Sequence, residues 1–235
     1  MTDDAVRCVG VVGLGRLGRA VVQAGRDQGL RMVTIGRWGE WPLGARGPSV
    51  VVDASSPSAQ PALLDYCKRQ GSALVECVSS LDARQWEALR ALADEVPVIR
   101  ATNLSMGHHL QGEAVRLIGK LLGAAQQVLP EAAVWERHPA MKAHRPSASA
   151  LHLADIWRET TGHETESIDS QRAGMPVSDH EVLLTWQAES LTVRHSVGSL
   201  AAAASGALAA VRWADGRAPG LTDIRTVFDE IIGRV

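Results

Sequence analysis

The stretch from Glu136 to Ala150, Glu-Arg-His-Pro-Ala-Met-Lys-Ala-His-Arg-Pro-Ser-Ala-Ser-Ala, concentrates groups that can do chemistry. His138 can move a proton near neutral pH. Lys142, four residues on, supplies a fixed positive charge or a second acid. Pro146, Ser147, Ala148 and Ser149 then open an apolar run that reads as a helix start, and the amides of a helix N-terminus suit a carboxylate. Together these groups predict proton transfer to one small anionic ligand.

A second motif lies near the other end of the chain. Gly13-Leu14-Gly15-Arg16-Leu17-Gly18 follows the apolar run Val6 to Val12 and precedes an amphipathic stretch, Arg19 to Arg26. A Gly-x-Gly-x-x-Gly turn between a strand and a helix lets the backbone approach a pyrophosphate at Gly15, with the amides near Arg16 and Leu17 facing it. The next strand ends in Thr34-Ile35-Gly36-Arg37. An NAD site usually carries an acidic residue about there for the ribose hydroxyls. Gly36 takes that place here, and Arg37 can pair with a 2′-phosphate or sit solvated in its loop. The pattern favours NADPH, with NADH as the alternative. A nicotinamide cofactor beside a histidine and a lysine spells a reductase.

Elements must hold these two motifs in place. Val50 to Asp53, Ala73 to Val78 and Val96 to Arg100 read as strands, and Ala59 to Gln70 and Asp82 to Glu95 as helices. This alternation predicts an α/β, Rossmann-type doubly wound parallel sheet. After Asn103 the pattern changes. Gly107 to Leu122 reads as a helix, Ala132 to Glu136 as a strand, Pro139 to Pro146 as a loop and Ser147 to Thr160 as a helix. Glu166 to Arg172, His180 to Thr185 and Leu191 to Ser196 follow as strands without long helices between them, which predicts a second α+β domain with a mixed sheet. Gly198 to Trp213 is an Ala-rich helix expected to pack on that second sheet, and Thr222 to Ile232 a last helix.

Composition narrows the class. A net charge of -2 gives no basic field for nucleic acid or anionic lipid, and no apolar run approaches the length that spans a bilayer. The acidic start Met1-Thr2-Asp3-Asp4 is unlike a secretion signal, and Cys8, Cys67 and Cys77 read as reduced, mostly buried thiols. A cytoplasmic protein is the expectation. No histidine pair has the helical ligand pattern with a carboxylate base, so no metal is expected.

The assembled motifs resemble the dihydrodipicolinate reductase family, over nearly the whole chain. Val50-Val51-Val52-Asp53-Ala54-Ser55-Ser56-Pro57 is similar to its third strand and following loop. Ala101-Thr102-Asn103-Leu104-Ser105-Met106-Gly107 resembles its Ala-Asn-Phe-Ser-x-Gly crossover, and Glu136 to Ala150 its Glu-x-His-His-x-x-Lys-x-Asp-x-Pro-Ser-Gly-Thr-Ala. Arg172-Ala173-Gly174, His180-Glu181-Val182, Gly198 to Trp213 and Thr222-Asp223-Ile224-Arg225 also fit.

The resemblance implies His138 as proton donor and acceptor, Lys142 as second acid, and Ser147, Ala148 and Ser149 as holders of a substrate carboxylate. Gly13 to Gly18, Arg37, Cys77, Val78, Ser79, Ala101, Thr102, Asn103 and Leu104 fall where the family binds its nicotinamide dinucleotide. It further implies a homotetramer or homodimer, with residues 1–104 as dinucleotide-binding domain, 105–216 as substrate-binding and oligomerisation domain, and 217–235 as a helix returning to the first domain. The departures cluster at the substrate: Pro139 replaces the second histidine, His144 the aspartate, and Ala148-Ser149 the Gly-Thr pair. The family's Gly-Thr-Thr-Gly loop has become Cys77-Val78-Ser79-Ser80, and the first glycine of the phosphate loop sits one residue later. The expectation is a reductase of a small carboxylated cyclic imine or conjugated C=C–C=N compound, with altered substrate in a specialised pathway. Two alternatives stay open, a genuine dihydrodipicolinate reductase of lysine biosynthesis and an inactive NADPH-binding sensor or partner subunit. His108, His109, His180, Arg137 and Arg145 each admit a site role and a plain structural one.

Overall fold

The computed structural model describes residues 8–36, 41–174 and 178–233, so Arg37 lies outside the described residues. In chain order the elements are β1 (Val9–Val12), α1 (Arg16–Asp27), β2 (Met32–Ile35), β3 (Val50–Asp53), α2 (Gln60–Gln70), β4 (Ala73–Glu76), α3 (Ala83–Ala93) and β5 (Pro97–Arg100). Then come α4 (Met106–Ala124), β6 (Glu131–His138), α5 (Ala148–Thr161), β7 (Ser167–Arg172), β8 (Ser178–Thr185) and β9 (Ser190–Val197). The chain ends with α6 (Ala201–Ala214), β10 (Gly220–Asp223) and α7 (Ile224–Ile231). These elements form two compact units, one running to Ser105 and resuming at Leu200, the other Met106–Ser199.

The first unit is built on a parallel sheet in the order β10-β5-β4-β3-β1-β2. Every residue of β1, β3 and β4 is buried, as expected of parallel strands covered on both faces. On α1 the buried positions Gly18, Val21, Val22 and Gly25 recur at helical spacing and make one packed face. The doubly wound parallel architecture read from the sequence is the one found.

Two expectations are corrected here. The Ala-rich helix α6 belongs to the first unit, against α1, β3, β4 and β5, not to the second sheet. Its small side chains allow a very close approach: a Cβ on Gly206 would fall 1.8 Å from the Leu104 carbonyl oxygen. The tail is not helical from Thr222. Gly220–Asp223 adds a sixth parallel strand beside β5, and Asp223 Oδ1 then accepts from the Arg225 amide to start α7. Four residues opening on Gly and closing on Asp are too short to show a strand period.

The second unit carries a mixed sheet in the order β7-β6-β8-β9, with β6–β7 parallel and the other pairs antiparallel. Along β6, Ala132, Val134, Glu136 and His138 are buried while the residues between them are not. That inner face packs with Leu153, Ile156 and Trp157 of α5 and Val115 of α4. The strand runs two residues further than the pattern suggested, so His138 sits on its last position rather than in a loop.

Candidate active site

In the first unit, the loops predicted to meet a dinucleotide all leave the carboxyl ends of parallel strands, where open α/β sheets bind ligands. Gly13 has φ 86°, and a Cβ on Gly18 would lie 1.8 Å from its carbonyl oxygen, so both glycines are required by the turn itself. Gly15 caps the start of α1 and has no atom within 4 Å of its Cβ direction, which leaves space over the helix N-terminus. A cavity of about 510 Å³ opens beside it, lined by Gly13, Leu14, Gly36, Trp41, Ser55 and Ser58. An open helix N-terminus next to a cavity of this size fits a dinucleotide. Cys77 and Ala101 are held at the same sheet edge, their amides donating to Asp53 and Glu76 carbonyls.

In the second unit the site is a set of cross-strand neighbours on the buried sheet face. Register places Glu136 beside Ser170 on one side and His180 on the other, with His195 opposite His180. His138 stands beside Arg172 in the next row. Glu136 is fully buried, and Arg172 Nη2 donates to its Oε1 at 2.9 Å with both side chains out of solvent. The Ser170 hydroxyl donates to Oε1 at 2.7 Å and the Ser147 amide reaches both carboxylate oxygens. Burial works to raise the Glu136 carboxyl, but the bonds from Ser147, Ser170 and Arg172 outweigh it and hold it at about 2. Glu136 Oε2 lies 3.2 Å from His138 Nε2, which is also 3.2 Å from His180 Nε2.

The loop between β6 and α5 is clamped from the same arginine. Arg172 Nε donates to the Lys142 carbonyl at 2.9 Å, and Arg172 Nη2 also bonds the His144 carbonyl. Lys142 lies on the exposed side of the loop, yet partial desolvation lowers its ammonium below the usual lysine range, Glu136 opposing and Arg172 adding. Burial lowers His138 as well, helped by the Lys142 charge and opposed by Glu136. Ser147 caps α5 by accepting from the Ala150 amide.

Comparison with known proteins now fixes the lineage. The N-terminal model of dihydrodipicolinate reductase matches residues 43–104, and its C-terminal model residues 110–228. A 4-hydroxy-tetrahydrodipicolinate reductase of Pseudomonas fluorescens is 30% identical over 202 residues, 77% of this chain and 73% of its own length. The chain belongs to the dihydrodipicolinate reductase family. Members of that family are NAD(P)H-dependent reductases, and the same name attaches to a Thiobacillus denitrificans relative, 30% identical over 78% of this chain and 74% of its own. Among solved structures, a dipicolinate-bound dihydrodipicolinate reductase from Paenisporosarcina sp. TG-14 shares the fold with TM-score 0.71, 17% identity, and coverage of 93% of this chain and 98% of that one. An amine dehydrogenase from Mycobacterium smegmatis follows with TM-score 0.60, 11% identity, and coverage of 94% and 96%.

Set against the dihydrodipicolinate reductase pattern, the structure brings His138, Lys142, Ser147, Ala148 and Ser149 into one neighbourhood around the start of α5. Pro139 follows directly on β6, and the imidazole beside His138 is His180, ring centroids 5.0 Å apart. His144 is exposed. Ser147 is buried with its amide committed to Glu136, and Ala148 and Ser149 follow it as the first residues of α5. Arg137 points to the other sheet face, where Nε and Nη2 meet Asp179 Oδ2 at 2.7 and 2.6 Å. His108 and His109 are buried in α4 rather than lying at a surface. Sequence reasoning gave no role to Glu136, Ser170 or Arg172. The period of two along β6 that puts Val134 inward also puts Glu136 inward, and a buried carboxylate needs a cation.

Proposed function

We propose that this chain uses NADPH, or NADH, to reduce a small carboxylated cyclic imine or conjugated C=C–C=N compound whose structure differs from dihydrodipicolinate. The buried Glu136–Arg172 pair carries this reading, because it holds His138 and the Lys142 loop together at the first turn of α5. The amides of Ala148 and Ser149 take the substrate carboxylate, reinforced by the positive end of the helix. Lys142, its ammonium made more acidic than a free lysine, gives the proton to the acceptor atom. His138 stays neutral at pH 7 and relays the replacement proton, its ring oriented by Glu136 Oε2. The nicotinamide, when bound, supplies the hydride.

The changed substrate rests on the lining. Pro139 offers no side-chain donor, and Arg137 is already engaged by Asp179. On this reading the first turn of α5 holds one carboxylate, and neither Pro139 nor the engaged Arg137 adds a second anchor for a dicarboxylate. The named relatives favour the other reading, dihydrodipicolinate itself. Steady-state rates on dihydrodipicolinate and on monocarboxylate cyclic imines separate the two. Little or no turnover of the dicarboxylate supports our reading; turnover at an ordinary enzyme rate, about 1–1000 per second, overturns it. Tight NADPH binding with no turnover of any cyclic imine would favour a sensor instead, against which the paired His138 and Lys142 argue.

Support for a cofactor preference comes from Gly36, which stands at the end of β2 where an NAD site usually carries a carboxylate for the ribose hydroxyls. NADPH should bind more tightly than NADH, and Arg37→Ala should narrow the gap. Equal affinities unchanged by that substitution would remove Arg37 from the site.

A further inference from the structure

We propose that His108, His180 and His195 form a binding site for one divalent transition-metal ion of the zinc type. The three rings come from α4, β8 and β9, and each offers a nitrogen within 4.8 Å of the others. Sequence spacing could not reveal them, since no two lie one helical turn apart. Ligands on a zinc ion at about 2.0–2.1 Å sit roughly 3.3–3.4 Å from one another, so ring rotations of about an ångström close the set. His152 of α5 stands beside it, its ring 5.9 Å from that of His108.

Two further observations support a built site. Gln111, one turn along α4, donates through Nε2 to the His180 carbonyl at 2.8 Å and the Val193 carbonyl at 2.9 Å, fixing the helix over both ligand-bearing strands. His180 engages His138, Ser147 and Glu136 through Nε2, while its buried Nδ1 makes no hydrogen bond among the described residues. The overlapping set Glu136, His138 and His180 is different: Arg172 already supplies the cation there. An ion on His180 Nδ1 would place that ring's proton on Nε2, donating towards the Ser147 hydroxyl 3.4 Å away. The site would then set the tautomer next to the proton relay.

The test is binding, and it is independent of the reductase reading. Metal-free full-length protein is titrated with Co²⁺, read by visible absorption, and Zn²⁺ is used to displace it. We expect saturation at one ion per chain, the intense bands of a tetrahedral cobalt centre, and a rise in melting temperature with either ion. His108→Phe and His195→Gln should each weaken binding at least ~10–100-fold, the scale seen even for losses outside the ligand set. His163→Ala, in the exposed turn after α5, should leave it unchanged. Should His108→Phe fail to fold, His195→Gln, whose side chain is half-buried, carries the test alone. Absence of saturable binding, or binding that both variants leave intact, overturns the site.

Discussion

Arg172 organises more of the site than its place in the sequence suggests. It neutralises Glu136, and it bonds the Lys142 and His144 carbonyls at the same time. Removing one member of a buried pair strands the other, at a cost of about 3–5 kcal/mol. Arg172→Ala should therefore lower stability by that order in denaturant melts and also lower turnover, because the Lys142 loop loses its clamp. A variant that is as stable as the parent would show the pair to be dispensable. His138→Ala and Lys142→Ala act differently. Neither residue belongs to the buried Glu136–Arg172 pair, so each variant should fold, bind NADPH as the parent does, and lose turnover by about 100-fold or more on the true substrate. Rates near the parent's in both would exclude the family mechanism.

At the scale of elements, the phosphate loop and the α6 crossing show two different uses of glycine. Gly15 faces open space, so Gly15→Ala should leave the melting temperature nearly unchanged while weakening dinucleotide affinity. A Cβ on Gly18 would strike the Gly13 carbonyl, and one on Gly206 the Leu104 carbonyl. Gly18→Ala and Gly206→Ala should therefore destabilise by roughly 1–3 kcal/mol, the usual cost of overpacking. Calorimetry of the three variants checks the contrast, and equal melting temperatures would contradict it.

For the whole molecule, pH and assembly give the most direct readouts. Asp53 and Glu76 end neighbouring parallel strands in register, both buried. Burial raises Glu76 to about 8, with Asp53 adding to the effect, and burial raises Asp53 as well. A carboxyl raised in the folded state favours the protonated form, so its contribution is full below the unfolded value near 4.5 and is lost as pH climbs towards 8. The protein should be less stable at pH 8 than at pH 5, and Glu76→Gln should flatten that slope, with a gain on the order of a few kcal/mol at alkaline pH. Urea melts across this range that run parallel for both proteins would discount the pair. The mixed sheet ends in β7 and β9, whose outer edges have no strand partner among the described residues. Covering such edges is a common reason to assemble, and we expect a dimer or tetramer by light scattering, where a monomer at micromolar concentration would count against it.

The glycine turn, the strand–helix alternation and the His138–Lys142 spacing were legible in the sequence because each is a local pattern. A backbone turn that must admit a phosphate selects glycine at fixed spacing, and a strand buried on both faces selects a run of Val and Ile. The family likeness followed from the same short segments. What tertiary structure decided is everything that depends on register between distant strands. Glu136 meets Arg172 36 residues later and His138 meets His180 42 residues later, only because β7 and β8 flank β6 in one particular alignment. The histidines of α4, β8 and β9 converge for the same reason. A shift of one residue in either pairing would send these side chains to the opposite face, and no local spacing encodes which alignment wins. The place of α6 was equally hidden, since an Ala-rich helix can pack on either sheet and the Leu104 backbone against Gly206 settled which.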